Sequence, residues 1–202
     1  MAEKIKFTKQ EQKKQQDALK QFKRFLPTLQ LKKQQLQAEV RRSSDLLEDH
    51  LRRQEELRGA LAQSLLFFGD AKAAKEIESK VQIENIRASE QNIAGVPIPV
   101  FEGIDFADIP VDFFATDWYV DDAVEALKRA AELREEYKIL YRQFELLSEE
   151  LRTTGQRVNL FEKVKIPECQ ENIRKIRIML GDLETSAVAR SKIAKRKTAA
   201  AN

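Results

Sequence analysis

Apolar side chains recur at alternating steps of four and three through the first third of the chain. From Phe22 the steps land on Leu26, Leu29, Lys33, Leu36, Val40, Ser43, Leu47, His50, Gln54, Leu57, Leu61, Ser64 and Phe68. Nine of these fourteen positions are apolar, and the residues between them are mostly Gln, Lys, Arg and Glu. Two apolar positions in seven form the seam of a coiled coil, so the spacing predicts a helix over 8–79 with polar interruptions in its stripe. Pro27 predicts a kink within it. A second stripe runs through Leu133, Tyr137, Leu140, Phe144, Leu147, Leu151, Thr154, Val158 and Phe161. It resumes after Pro167 with Ile173, Ile176, Leu180 and Leu183. This predicts a second helix over 118–190, bent near Pro167. Each helix, of about 70 residues, would span about 100 Å at 1.5 Å per residue.

So narrow a stripe is not stable facing water, and the nearest partner for each helix is the other. The chain between them is long enough to reverse direction, which predicts an antiparallel intramolecular coiled coil. If Pro27 and Pro167 lie side by side, so that both helices bend at one level, the numbers of facing residues add to 194 (27 and 167). The fold axis then falls at residue 97.

The centre, 80–117, has a different rhythm. Val81 and Ile83, with Ile86, alternate, as do Val96, Ile98 and Val100, and Asn92 to Gly95 supply turn material. This predicts a short hairpin over 81–101. Pro97 and Pro99, two apart, remove backbone donors from one side of a strand only, which suits an edge. The rest of the centre, EGIDFADIPVDFFATDW, adds Phe106, Phe113, Phe114 and Trp118 to Phe101 just before it, on a chain otherwise poor in aromatics. Such a segment serves as a local core capping the coil, as an acid-rimmed protein contact, or as both. The expected class is therefore all-α: a long antiparallel two-helix coiled coil with a short central β-hairpin, ending in a basic tail at 191–202.

Composition agrees. Six Gly and five Pro in 202 residues leave little punctuation for a loop-rich or sheet-rich fold, and 34% of residues are charged. The net charge is only +3, but it is segregated. Residues 1–24 hold eight Lys or Arg against Glu3, Glu11 and Asp17, and 190–202 hold Arg190, Lys192, Lys195, Arg196 and Lys197 with no acid. Between Arg87 and Lys128 there is no Lys or Arg, but nine Asp or Glu. Any one run is explained as a solvated face; the three-block pattern points to different partners for the basic ends and the acidic middle.

Chemistry is sparse. One cysteine, Cys169, excludes an internal disulfide, and one histidine, His50, argues against zinc chemistry and most histidine catalysis. His50 lies on the seam, where a packed role is expected, and Cys169 reads as a small apolar filler. No phosphate-cradling glycine loop is present, and carboxylate pairs such as Glu55–Glu56 and Glu135–Glu136 sit on helices without a concave surface. No apolar run approaches the roughly 18 residues of a membrane span, and MAEKIKFTKQ lacks the apolar core of an export signal. The expectation is a non-catalytic protein with no cofactor or metal. The basic ends could meet nucleic acid through charge, but aromatics for base stacking are absent there.

The stretch 157–197, RVNLFEKVKIPECQENIRKIRIMLGDLETSAVARSKIAKRK, resembles the carboxy-terminal helix of the D subunit of V-type and A-type rotary ATPases. Matching positions are Arg157, Val158, Asn159, Glu162, Ile166, Pro167, Glu171, Ile173, Ile176, Met179 and Leu180. NIAGVPIPVFE at 92–102 looks like the central segment of that family, and FTKQEQKKQQDALKQF is more loosely similar to its opening. Gly155–Gln156 stands where the family usually has basic residues; Pro27 and Cys169 also depart from its pattern. The resemblance implies a rotor shaft, with both termini inserted in a hexamer of catalytic and non-catalytic subunits. Its middle would join the small central-stalk F subunit and a connector on the membrane ring. By that implication Lys9, Lys13, Lys20, Arg157, Asn159, Arg190, Lys192, Lys195 and Arg196 face the hexamer. Val96, Ile98, Val100, Phe101, Phe113, Phe114 and Trp118 face the partner subunits toward the membrane. The expected location is cytoplasmic and peripheral to the membrane, without insertion and without nucleic acid. A stalk of a secretion-associated ATPase, which would lack the central hairpin, and a nucleic-acid-binding helical arm are the alternatives.

Overall fold

A computed structural model describes residues 5–65, 77–107, 109 and 120–201. Its elements are helix α1 (Lys9–Leu65), strands β1 (Ile83–Ile93) and β2 (Val96–Phe106), helix α2 (Val120–Leu160), a π-helical turn (Phe161–Lys165) and helix α3 (Ile166–Ala201). Residues 77–80 are also helical. The chain divides into two compact units: a terminal unit, Met1–Lys33 with Thr153–Asn202, and a central unit, Gln34–Arg152.

In the terminal unit, α1 opens with a side-chain N-cap. Thr8 Oγ1 accepts a hydrogen bond from the Glu11 backbone N–H at 3.2 Å, and Glu11 places an acid in the first turn. The helix then continues through Pro27, which itself donates no backbone hydrogen bond. Val158, Cys169 and Ile176 are buried, and Phe22 packs on Phe161 with ring centroids 4.9 Å apart. That pair adds to 183 (22 and 161), so Pro27 does not face Pro167, and the register expected from aligning the prolines is corrected. The π turn explains why alignment is unnecessary. Pro167 has no N–H to donate, and its ring would crowd the carbonyl four residues back. Widening the preceding turn, so that the Ile166 N–H reaches the Phe161 carbonyl, absorbs the proline within one helix.

The expected tail at 191–202 is helical to Ala201, so the second helix runs past its expected end at 190. Leu183, placed on the seam by its spacing, is 45% exposed, and the seam stops at Leu180.

In the central unit, the α1 stripe is the buried line of the helix. Leu36, Ser43, Leu47 and His50 are its buried residues, and Val40, Gln54 and Leu57 are half-buried. His50 Nε2 lies 2.9 Å from Glu136 Oε2, and Gln54 Nε2 donates to the Leu133 carbonyl at 3.1 Å. These pairs add to 186 (50 and 136) and 187 (54 and 133), again short of 194. The strands pair antiparallel from Ile93↔Val96 to Ile83↔Phe106. The two-residue turn Ala94–Gly95 has φ of 52° and 81°, the pair of positive values that a type I′ turn requires, and Asn92 Oδ1 accepts from the Gly95 N–H. The hairpin is longer than expected because bulges at Glu84 on β1 and Glu102 on β2 offset each other and let pairing continue.

An isolated two-stranded hairpin is marginal in water. This one is anchored by Val96 and Ile98, which form a core with Leu36 of α1 and Leu147 of α2. Each such side chain contributes about 1.5–3 kcal/mol on burial. A second cluster joins Ile77, Val120 and Val124.

Candidate interaction surfaces

The expected hexamer-facing residues of the terminal unit lie on its surface. Lys9, Lys13, Lys20, Arg157, Asn159, Arg190, Lys192, Lys195 and Arg196 are exposed. Lys9 meets Glu184 at 3.6 Å, a solvated pair of little energetic weight. Asn159 follows the buried Val158 and makes no hydrogen bond across the seam among the described residues.

The same helix carries a feature that composition hid. Ile178, Leu183, Val188 and Ile193 are all exposed, and they lie five residues apart. At 3.6 residues per turn, each five-residue step rotates by about 140°, so the four side chains spiral around α3 instead of lining one face. Every residue with a described side chain from Gly181 onward is exposed. Apolar groups on all sides of a helix suit an enclosing surface; a single neighbouring helix would need one stripe. The five-residue spacing could have been found in the sequence, but the seam pattern claimed Leu183 first.

The expected contact residues of the central unit divide. Val96 and Ile98, 8% and 3% exposed, are spent inside the chain against Leu36 and Leu147. They hold the hairpin and are not presented to an outside partner. Val100 and Phe101 are half-buried. Phe113, Phe114 and Trp118 lie outside the described residues. The outer surface of the hairpin consists of β1, exposed from Ile83 to Asn92, together with Pro97. Its charged groups are Glu84, Glu90 and Glu102, and Arg87 is paired with Asp105 at 3.3 Å.

His50 is fully buried, and Tyr137 lies beside it with ring centroids 6.0 Å apart. The Glu136 carboxylate only accepts, so Nε2 carries the proton of that bond, and Nδ1 has no partner among the described residues. Burial pushes the Cys169 thiol above its ordinary value; Glu168 adds to the rise and Lys165 opposes it. A thiol held protonated in this way is a poor nucleophile. Among the described residues no group of three or more His, Cys, Asp or Glu could hold a metal ion, and no helix is long and apolar enough to cross a membrane.

Comparison of the sequence with known proteins covers nearly the whole chain. The sequence profile of the ATP synthase D-subunit family matches residues 11–196. The V-type ATP synthase D subunit of Borreliella burgdorferi is 45% identical over 192 residues, covering 95% of this chain and 94% of the relative. The proteins of the same name from Chlamydia muridarum and Chlamydia pneumoniae are each 29% identical, over 197 and 201 residues, covering 98% of this chain and 97% and 94% of theirs. With a seam, a central hairpin and a profile match that spans both units, the chain belongs to the ATP synthase D-subunit family.

Proposed function

We propose that this chain is the central-stalk subunit of a V/A-type rotary ATPase, transmitting torque between the nucleotide-processing hexamer and the ion-translocating membrane ring. The terminal unit enters the hexamer of catalytic and non-catalytic subunits. The central unit carries the small F subunit and the connector on the ring. The observation that carries this reading is the apolar spiral of Ile178, Leu183, Val188 and Ile193 on a helix whose described side chains are all exposed from Gly181 onward. An enclosing bore buries all four at once. The Lys and Arg of the same region supply long-range attraction that survives rotation, because charge contacts need no single locked geometry. Nucleotide chemistry belongs to the surrounding subunits. This chain acts by presenting a different side to each of them, which biases their conformations through differential contact. It reaches the cytoplasmic face of the membrane through its partners.

Native mass spectrometry of the chain co-expressed with the two hexamer subunits tests the proposal. One copy per hexamer is expected. A variant with Ser at Ile178, Leu183, Val188 and Ile193 is expected to keep its helical circular dichroism and lose the complex. A complex that survives those substitutions, or none with the natural chain, refutes the enclosure. A bead on the hairpin that turns during ATP hydrolysis would establish the rotor role; a stationary bead on an active complex would refute it.

A further inference from the structure

The two free edges of the hairpin are built differently. Ile93 and Val96 flank the two-residue turn and form its first hydrogen-bonded pair, so backbone direction alternates from there. Asn92 stands opposite Pro97, Glu90 opposite Pro99 and Ala88 opposite Phe101, in pairs whose backbone groups point away from the partner strand. On the β2 side the two positions nearest the turn are closed to strand addition. Pro97 and Pro99 have no N–H, and the Pro99 carbonyl accepts from Gln143 Nε2 of α2. On the β1 side, Ala88, Glu90 and Asn92 keep both N–H and C=O, and among the described residues no hydrogen bond engages those backbone groups. β1 contains no Pro and no Lys, the residues that ordinarily blunt an edge, and it is exposed from Ile83 to Asn92.

Charge decides what such an edge admits. Glu84, Glu90 and Glu102 form no ion pair among the described residues, and the only base on the hairpin, Arg87, is held by Asp105. A second copy of this edge would bring acid to acid, whereas a basic strand would neutralise it. We propose that the outer edge of β1 is a docking strand for an extended, Lys- or Arg-bearing segment of a partner protein. Backbone bonds to Ala88, Glu90 and Asn92 supply the pairing, and the glutamates supply selectivity. The inference rests on the reading of the central unit as the part that carries partner subunits.

The test compares amide hydrogen exchange in the free chain with that in the complex assembled from all co-expressed ATPase subunits. Carbodiimide coupling is run in parallel, because it joins carboxylates only to amines in contact with them. The expected result is at least a tenfold slowing at Ala88, Glu90 and Asn92, with a link from Glu84 or Glu90 to a partner lysine. Glu90→Pro removes one outward donor and leaves the ladder to β2 intact. It is expected to abolish the slowing at Ala88 and Asn92 without changing the circular dichroism. A complex that forms with unchanged exchange at these amides overturns the docking strand and leaves the stalk reading standing. Slowing that appears in the free chain as its concentration rises assigns the edge to a second copy and overturns the basic partner. Absence of any complex overturns both readings.

Discussion

His50 and Glu136 offer a sharp test of how the seam of the central unit is specified. His50 is fully buried, while Glu136 is 27% exposed at the rim. Glu136→Ala leaves the Nε2–H of a buried ring without an acceptor, which costs about 1–3 kcal/mol. His50→Leu removes donor and ring together and fills the site with apolar volume, and the remaining Glu136 carboxylate can hydrate at the rim. In that background Glu136→Ala should cost less than about 0.5 kcal/mol, the range of an ordinary surface change. The coupling energy of the double-mutant cycle is therefore expected near 1.5 kcal/mol, or roughly twelvefold in the local opening constant. The lower end of the range for charged hydrogen bonds applies because Glu136 is partly solvated. The helix-propensity effect of Glu136→Ala is present on both sides of the cycle and cancels. Hydrogen exchange of the amides at 47–57 and 133–140 reads the opening locally. A coupling below about 0.5 kcal/mol would refute the argument, because His50 would then be a spacer whose bond to Glu136 adds nothing.

Three further outcomes follow from the packing. Leu36→Ala opens a cavity beneath Val96 and Ile98 and should cost about 3–4 kcal/mol, seen as a lower melting temperature and faster exchange along β2. Ser43→Ala removes a buried hydroxyl that has no partner among the described residues and improves helix propensity, so it should stabilise the chain by about 1 kcal/mol in urea unfolding. The thiol of Cys169 is raised from its ordinary value of 9.0. Its raised folded-state value contributes stability that is full below about pH 9 and is lost as pH climbs through the folded-state value. The melting temperature of the natural chain should therefore fall more steeply than that of Cys169→Ala above about pH 9, while the gap between the two, set by the lost packing of the sulfur, stays constant around pH 7.

The seam of α1 was legible in detail. Every seam position from Phe22 to Leu61 is buried or half-buried, and among the described residues all four buried side chains of the helix lie on it. Heptad spacing reports burial directly, because each position sees the partner helix or does not. Register was not legible, because the stripe repeats and a shift by one heptad satisfies it equally. The prolines looked like a marker, but a π turn is a local remedy for Pro167 and implies nothing about the residue across the seam. The hairpin was legible from alternation and from Asn92–Gly95. The parity of Pro97 and Pro99 correctly placed their missing donors on one edge. Alternation could not say which face is covered, so Val96 and Ile98 were expected at an outside contact when they hold the hairpin to its own helices. The His50–Glu136 bond spans 86 residues and becomes visible only once the register is known.

Two spacings meet in α3, and the change between them marks a division of labour along one helix. Steps of three and four keep apolar groups on a single line, and Ile173, Ile176 and Leu180 use that line for the chain's own core. Steps of five, from Ile178 onward, carry apolar groups round the axis, where no intramolecular partner can bury more than one or two of them. Leaving four large apolar side chains about half exposed forfeits about 1 kcal/mol apiece, a cost that a subunit recovers only when something surrounds it. A shaft that turned against one fixed stripe would meet complementary surface once per revolution. Apolar groups distributed round the helix, with Arg190, Lys192, Lys195 and Arg196 between them, present comparable surface at every angle. On the proposed reading, that uniformity lets the terminal helix stay seated while it turns, and asymmetry has to come from the coil further along.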